Sequence, residues 1–219
     1  KAISTVREIY EEEFEEWGVS SVGYVAIPML SVSVFCRDEP VSSIEALKSK
    51  KLRVWARDQV ETFTGLGVAA QIIPQAEMYV ALKSGVVDCA LYPALYAHTV
   101  SLQEVAPYAS FLYPMASGPY VIGVATDRWE KTENNIKLAI VNAAEDLWNR
   151  TNHYEDDFER ELAARKSLVE GGVTWGEDFS QEDRNLFVGS VTKIWKTLAD
   201  EAGGNAPAYR QRVLDALGR

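Results

Sequence analysis

Between residues 19 and 126 the chain alternates short apolar, β-branched runs with short helical patterns, and glycine or proline ends most of them. The first two runs cover 19–27 and 30–36, and Pro28 lies between them. They predict two strands or one broken strand. The pattern after residue 126 is largely helical. Strands that alternate with helices and are then followed by helices predict an α/β sheet with a helical completion.

Length and charge exclude several classes of protein. The chain has 219 residues, enough for one large α/β domain or two small lobes. Its net charge of −10 argues against nucleic-acid binding, because no basic stripe is available to neutralise phosphates. A single local cation can still bind an anion against this acidic background. No run of about 18 apolar residues occurs, so the sequence predicts no membrane-spanning helix.

A long helical pattern covers 133–170, with apolar residues at three- and four-residue steps. This length exceeds the roughly 8–20 residues of an ordinary globular helix. The pattern therefore predicts either one long helix that braces two lobes or a helix with a kink. Gly171 and Gly172 end it, and 171–219 reads as a C-terminal helical segment.

The sequence contains few arrangements of reactive or metal-binding side chains. Cys36 and Cys89 allow at most one internal disulfide, but each lies in an apolar run where a buried free thiol is the favoured interpretation. His98 and His153 are far apart and lack a partner at ligand spacing, so we expect no metal site. No nucleophile, phosphate-loop or dinucleotide motif is present, and we predict neither a catalytic residue nor a cofactor.

The most informative charged residue is Arg53, which lies in the middle of the short apolar run 51–55. A guanidinium at the end of a strand suits the capture of a carboxylate, because its planar fork can donate two parallel hydrogen bonds to one anion. The alternative is a structural ion pair of Arg53, with Trp55, Tyr79 and Tyr92 serving only as packing.

Several segments resemble the solute-binding subunits of TRAP transporters, which are periplasmic binding proteins of the DctP type. Residues 43–54 resemble that family's "s-x-x-D-L-K-G-x-K-[ILM]-R-V-P" segment, and 75–88 resemble its "f-S-E-V-Y-x-A-L-Q-x-G-V-V-D-G" segment. Residues 120–128 are similar to its returning strand, and the pattern over 133–170 is similar to its lobe-spanning helix. The similarity covers nearly the whole chain in order and is most specific over 44–88.

The resemblance implies a periplasmic-binding-protein fold, in which two α/β lobes are joined by crossing strands and a long helix. It assigns 1–29 and 120–150 to a remnant of the first lobe and 30–119 to the second α/β lobe. Residues 133–170 then form the lobe-spanning helix and 171–219 the C-terminal helical segment. The family's first third has no counterpart here, so we expect an incomplete first lobe. Whether the chain is a fragment or a naturally short relative stays open.

The resemblance also implies a binding site in the cleft between the lobes. The arginine of the family's "R-V-P" strand pairs with the ligand carboxylate, which gives that role to Arg53. Tyr92 takes the position before the proline of the "Q-E-N-P" segment. The substrate-binding residues predicted in this way are Arg53, Trp55, Gln75, Leu91 and Tyr92.

Three positions depart from the family pattern. Trp55 replaces the proline after the Arg-Val pair, and Ala90-Leu91-Tyr92 replaces the "Q-E-N" triplet. Ser33 stands where some members have a second arginine. Because polar groups are lost and aromatic rings are gained, we expect a larger or more apolar acid than a small sugar acid or a C4-dicarboxylate.

Taken with the resemblance, the sequence predicts a periplasmic protein that binds an organic acid and delivers it to the membrane permease subunits of a TRAP-type importer. The alternative is a shortened relative that does not transport and acts as a partner-binding or sensor module. An enzyme ranks third, because no nucleophile–base pair or metal-binding set is present.

Overall fold

A computed structural model describes residues 2–28, 30–115, 119–153 and 156–218 of the protein. These residues form a mixed α/β structure, which confirms the predicted fold class. The chain is organised as two compact units. The first unit comprises Lys1–Met29, Ala116–Asp156 and Ala202–Arg219, and the second comprises Leu30–Met115 and Asp157–Glu201. Among the helices of the described ranges, none is both long and apolar enough to cross a membrane.

In chain order, the helices and strands are α1 (Ala2–Glu16), β1 (Val19–Val25), β2 (Leu30–Cys36), α2 (Ile44–Leu47), β3 (Lys51–Val54), α3 (Arg57–Gly65), β4 (Ala69–Ile72), α4 (Gln75–Ser84), β5 (Cys89–Pro93), β6 (Tyr108–Met115), β7 (Tyr120–Ala125), α5 (Thr126–Lys131), α6 (Asn134–Thr151), α7 (Asp157–Glu170), β8 (Thr174–Trp175), α8 (Gln181–Ala202) and α9 (Ala206–Ala216). Two short 3-10 helices, Ala94–Val100 and Leu102–Glu104, lie between β5 and β6.

The first unit is built on the antiparallel pair of β1 and β7. Helices α1 and α6 both pack against β1. Gly23 of β1 directly faces Ala144 of α6, and a Cβ at position 23 would collide with that alanine. The glycine therefore allows α6 to approach the strand closely. Helix α9 packs on α1, where Arg212 forms an ion pair with Glu12 at 2.7 Å.

The second unit contains a six-stranded sheet with the strand order β4-β3-β5-β2-β6-β8. Strand β2 runs antiparallel to β5 and β6, whereas β3 runs parallel to β4 and β5. Because successive side chains of a strand point to opposite faces, the sheet has an apolar core on each side, and β2, β5 and β6 contribute to both. We name these two sides of the sheet the Tyr92 face and the Leu91 face, after neighbouring residues of β5.

Each face is covered by its own helices. Phe35, Ala90 and Tyr92 lie in one core with buried residues of α4 and α7, on the Tyr92 face. The core on the Leu91 face includes Val34 and Leu91 and is covered by α2 and α3. This arrangement fixes which residues of neighbouring strands share a surface, and it positions the site described below.

The pattern over 133–170 predicted one long helix or a helix with a kink, and the structure has two separate helices there. Helix α6 ends at Thr151, and Asn152 leaves the helical conformation with φ −86° and ψ 59°. Helix α7 then begins at Asp157. Residues 154–155 of the predicted helix lie outside the described part of the chain. The two helices belong to different units, as do α8 and α9 of the predicted C-terminal segment.

The two cysteines form a disulfide, so the favoured interpretation of buried free thiols is wrong. Cys36 and Cys89 are directly opposite each other in the antiparallel pair of β2 and β5. Both side chains are buried in the sheet. The pairing brings the two thiols together although they are 53 positions apart in the sequence.

Candidate functional site

Arg53 lies in β3 and is one of the most deeply buried side chains of the second unit, with 2% of its surface exposed. Its Nε donates a hydrogen bond to the carbonyl oxygen of Ile73 at 2.9 Å, and its Nη1 donates to the carbonyl of Leu91 at 3.4 Å. Ile73 follows the end of β4 and Leu91 lies in β5, so the two neighbours of β3 in the sheet orient the guanidinium.

The charge of Arg53 has no acidic counterpart in the part of the chain that the structure describes. No Asp or Glu there forms an ion pair with it, and the two carbonyl bonds use only two of its five N–H groups. Burial lowers the pKa of the guanidinium, and the nearby Tyr92 acts in the opposite direction. Arginine nevertheless stays protonated in proteins. The site therefore presents a buried, oriented cation with spare hydrogen-bond donors.

Tyr92 of β5 lies beside this cation. The guanidinium carbon of Arg53 is 6.0 Å from the centroid of the Tyr92 ring, at the outer limit of a cation–π contact. Burial raises the pKa of the Tyr92 hydroxyl, while the charge of Arg53 lowers it and Tyr96 raises it further. Leu91 contributes its carbonyl oxygen, but its side chain packs into the core of the opposite Leu91 face.

The other two predicted site residues are not joined to Arg53 by any contact among the described residues. Trp55 packs against the core of the Leu91 face, and its backbone N–H donates to the side-chain oxygen of Gln59 at 3.0 Å. Gln75 is exposed at the first position of α4. The structure thus brings together Arg53, Tyr92 and the carbonyl of Leu91, and the roles of Trp55 and Gln75 stay predictions.

Ser33 also lies in this arrangement. Its only signal in the sequence is its departure from the family pattern. It is opposite Tyr92 on β5 and opposite Phe111 on β6. Its side chain is completely buried, and its Oγ has no hydrogen-bond partner among the described residues. Such an unsatisfied buried hydroxyl is uncommon and needs a physical explanation.

Sequence reasoning missed a second polar group, the carboxylate of Glu161 in α7. Only 5% of Glu161 is exposed, and its Oε1 accepts a hydrogen bond from Arg165 Nε at 2.9 Å. Burial raises the pKa of this carboxyl, while hydrogen bonds from Arg165 and Ser31 lower it. The guanidinium carbon of Arg165 lies 4.7 Å from the ring centroid of Phe111 and 4.8 Å from that of Trp175.

Side chains that bind metals are not clustered near these residues. Within the described ranges, no group of three or more His, Cys, Asp or Glu side chains is arranged to hold a metal ion.

Comparison with known proteins identifies the family. The DctP family model, described as bacterial extracellular solute-binding protein, family 7, matches residues 4–202 of this chain. The ectoine-binding periplasmic protein TeaA of Halomonas elongata is 30% identical over 79 residues, which are 36% of this chain and 23% of TeaA.

Solved structures share the fold. A TRAP periplasmic solute-binding protein from Desulfovibrio desulfuricans with bound sn-glycerol-3-phosphate superposes with a TM-score of 0.81 at 18% identity, covering 100% of this chain and 68% of that one. The ectoine-binding protein of Halomonas elongata gives 0.79 at 19%, with 95% and 67% covered. A protein from Chromohalobacter salexigens with bound D-glucuronate gives 0.77 at 23%, with 96% and 66% covered.

The chain thus spans about two thirds of the length of these solved structures, while its sequence match to TeaA covers 23% of that protein. Its match to the family model, in contrast, extends over most of its own length. The protein belongs to the family of bacterial extracellular solute-binding proteins, family 7.

Proposed function

We propose that this protein binds an organic acid whose carboxylate pairs with Arg53. The observation that carries the proposal is the buried guanidinium, which two carbonyls orient and no described acidic side chain neutralises. Two parallel N–H groups of an arginine match the two oxygens of a carboxylate. The ligand anion would then serve as the counter-ion that the second unit does not supply.

The expected strength of this contact follows from the cost of burying charge. An unpaired buried ion carries a desolvation penalty of several kcal/mol, and a bound carboxylate offsets part of it. Removing one partner of such a pair typically costs about 2–5 kcal/mol. At about 1.4 kcal/mol per factor of ten, loss of Arg53 should weaken acid binding by more than about thirtyfold.

We further propose that the acid is captured in a cleft between two lobes and delivered to the permease subunits of a TRAP-type importer in the periplasm. Membership of an extracellular solute-binding family supports this role. Closure around the acid would be favoured to the extent that the closed state makes more contacts with it. Because the chain spans only about two thirds of the solved structures, the activity of the whole protein is part of the proposal.

The class of acid is proposed from the residues around Arg53. The ring of Tyr92 lies beside the guanidinium, and the sequence predicts Trp55 as a second aromatic residue of the site. These rings favour a larger or more apolar acid than a C4-dicarboxylate. A panel of galacturonate, succinate, phenylacetate, 4-hydroxyphenylacetate, hexanoate and 6-hydroxyhexanoate spans the alternatives. Tightest binding by succinate or galacturonate would contradict this part of the proposal.

The decisive experiment measures acid binding by calorimetry and by thermal shift in the wild-type chain and in Arg53→Ala. A ligand at a hundred times its Kd stabilises the folded state by about 2.7 kcal/mol, which is easily detected. Arg57→Ala is the matched control, since Arg57 is exposed and forms ion pairs with Glu61 and Glu201. Unchanged binding in a folded Arg53→Ala variant would refute the proposed role of Arg53.

A second candidate function is a partner-binding or sensor module. It is favoured by large apolar side chains that are exposed in the first unit, such as Trp17, Tyr120 and Leu138. Exposed apolar surface of this kind often marks an interaction site. This alternative predicts that no acid of the panel raises the melting temperature.

A further inference from the structure

Six buried side-chain polar atoms of the second unit have no hydrogen-bond partner among the described residues: Ser33 Oγ, Gln103 Oε1, Ser110 Oγ, Glu161 Oε2, Trp175 Nε1 and Arg184 Nε. We consider two of them together, Oγ of Ser33, in β2, and Oε2 of Glu161, in α7. Both residues are more than nine-tenths buried. A buried polar group without a partner loses its hydration and gains nothing in return, at a typical cost of about 1–3 kcal/mol. The presence of two such atoms in one region suggests a function for them.

Contacts of α7 place Glu161 over the part of the sheet that contains Ser33. Ser31, two residues before Ser33 on the same face of β2, lies close enough to Glu161 to lower the pKa of its carboxyl. One helical turn further on, the guanidinium of Arg165 lies over the ring of Phe111. Phe111 is in turn the residue opposite Ser33 on β6. The two unpartnered atoms therefore belong to the same region of the Tyr92 face.

The same face leads from this region to Arg53. Ser33 is opposite Tyr92, and the Tyr92 ring is the one that the Arg53 guanidinium approaches. In the sheet, β3 and β2 are separated only by β5. Adjacent strands are about 4.8 Å apart, so β3 and β2 are about 10 Å apart. Arg53 is aligned with Ala90 of β5 and Ser33 with Tyr92, two residues further along the same strand. Acids with a six-membered ring or a six-carbon chain are therefore suitable probes.

The chemistry of Glu161 decides what the far end of such an acid should carry. Its Oε1 is occupied by Arg165, and an ionised carboxylate can only accept hydrogen bonds. A hydroxyl or ammonium group would satisfy Oε2, whereas an ionised second carboxylate has no hydrogen to donate to it. The hydroxyl of Ser33 can both donate and accept, so it can bind the same group.

We propose that Glu161, assisted by Ser33, is a specificity-determining residue that accepts a hydrogen bond from a donor group of the acid bound at Arg53. The substrates are then acids with a hydroxyl or ammonium group at the end opposite the carboxylate. The inference rests on the proposed function, and it adds a requirement at the end of the acid opposite its carboxylate.

The test uses two matched pairs of acids that differ by one hydroxyl: 4-hydroxyphenylacetate against phenylacetate, and 6-hydroxyhexanoate against hexanoate. Calorimetry gives the ratio of Kd values within each pair. A hydrogen bond to a charged group predicts at least about tenfold tighter binding of the hydroxylated acid in the wild-type chain, in at least one pair. Glu161→Gln should reduce that ratio to about threefold or less, because the remaining hydrogen bond is between neutral groups.

Two further variants keep the test independent of folding defects. Ser33→Ala removes only an unsatisfied hydroxyl, so it should fold, and it should lower the same ratio. Glu159→Gln is the control, since this glutamate is on the same helix but exposed, and its ratio should equal that of the wild type.

The outcomes separate this inference from the proposed function. Hydroxylated acids that bind the wild-type chain no tighter than their partners would overturn it, as would a ratio unchanged in both Glu161→Gln and Ser33→Ala. Binding of succinate with none of the four test acids would overturn it as well. In each of these cases Arg53 could still bind the carboxylate. If no acid binds the wild-type chain, the proposed function fails and this inference fails with it.

Discussion

Reduction of the Cys36–Cys89 disulfide should lower the free energy of unfolding of the second unit by up to about 4 kcal/mol. The cross-link closes a loop in which its two residues are 53 positions apart. In the chain-entropy treatment, a loop of this length removes about 14 cal/mol/K from the unfolded state, which corresponds to about 4 kcal/mol at 25 °C. The closed loop contains β3, α3, β4 and α4, and with them Arg53.

The measurement is urea unfolding followed by fluorescence and circular dichroism, with and without a phosphine reductant. We expect a lower midpoint in the reduced protein, together with a larger m-value, because an unfolded chain without the cross-link exposes more surface. The double variant Cys36→Ala/Cys89→Ala is the control, and its midpoint should not respond to the reductant.

One result would refute this reasoning. If mass spectrometry shows two free thiols in the reduced wild-type protein and the midpoint is unchanged, the cross-link does not act by restricting the unfolded chain. A midpoint that falls equally in the double alanine variant would show that the reductant acts elsewhere.

Two other predictions concern packing and charge. Gly23→Ala should destabilise the first unit by about 1–3 kcal/mol in thermal unfolding, since the new Cβ collides with Ala144. Gly189→Ala is the matched variant, because a Cβ at this position of α8 meets open space. It should slightly stabilise the helix. Burial raises the pKa of the Glu161 carboxyl although Arg165 and Ser31 oppose the shift, so the folded state holds a proton that the unfolded chain has already released. The free energy of unfolding of the wild type should therefore fall as the pH rises from the ordinary glutamate range through the pKa of Glu161. The urea midpoint of Glu161→Gln should vary less with pH over the same range. An equal dependence of the midpoint on pH in the two proteins would contradict this prediction.

The strands of the second unit could be predicted because their signals are local. Residues 30–36 and 51–54 are short β-branched runs bounded by turns or polar residues, and the structure has β2 and β3 at these positions. For the pattern over 133–170 the decisive information is not local. The apolar periodicity continues through Asn152, but α6 packs in the first unit and α7 in the second. The periodicity of one sequence does not show which core the apolar side of a helix packs against.

The disulfide and half of the candidate site depend on register, which a sequence pattern does not specify. Cys36 pairs with Cys89 only because β2 lies antiparallel beside β5 in one particular alignment. Glu161 had no usable signal in the sequence. The apolar periodicity of this segment includes Phe158 and Leu162, which are exposed, whereas the buried residues of α7 are Asp157, Glu161 and Leu168.

The strand order of the sheet also gives the candidate site a direction. In the proposed site Arg53 has no acidic partner among the described residues, whereas Glu161 is paired with Arg165, and the burial of both residues means that water screens them weakly. An acid can lie with its carboxylate towards Arg53 and its donor towards Glu161. The reverse orientation would leave the guanidinium without an anion and the free oxygen of Glu161 without a donor. Discrimination therefore comes more from the penalty on misplaced groups than from the gain of correct ones.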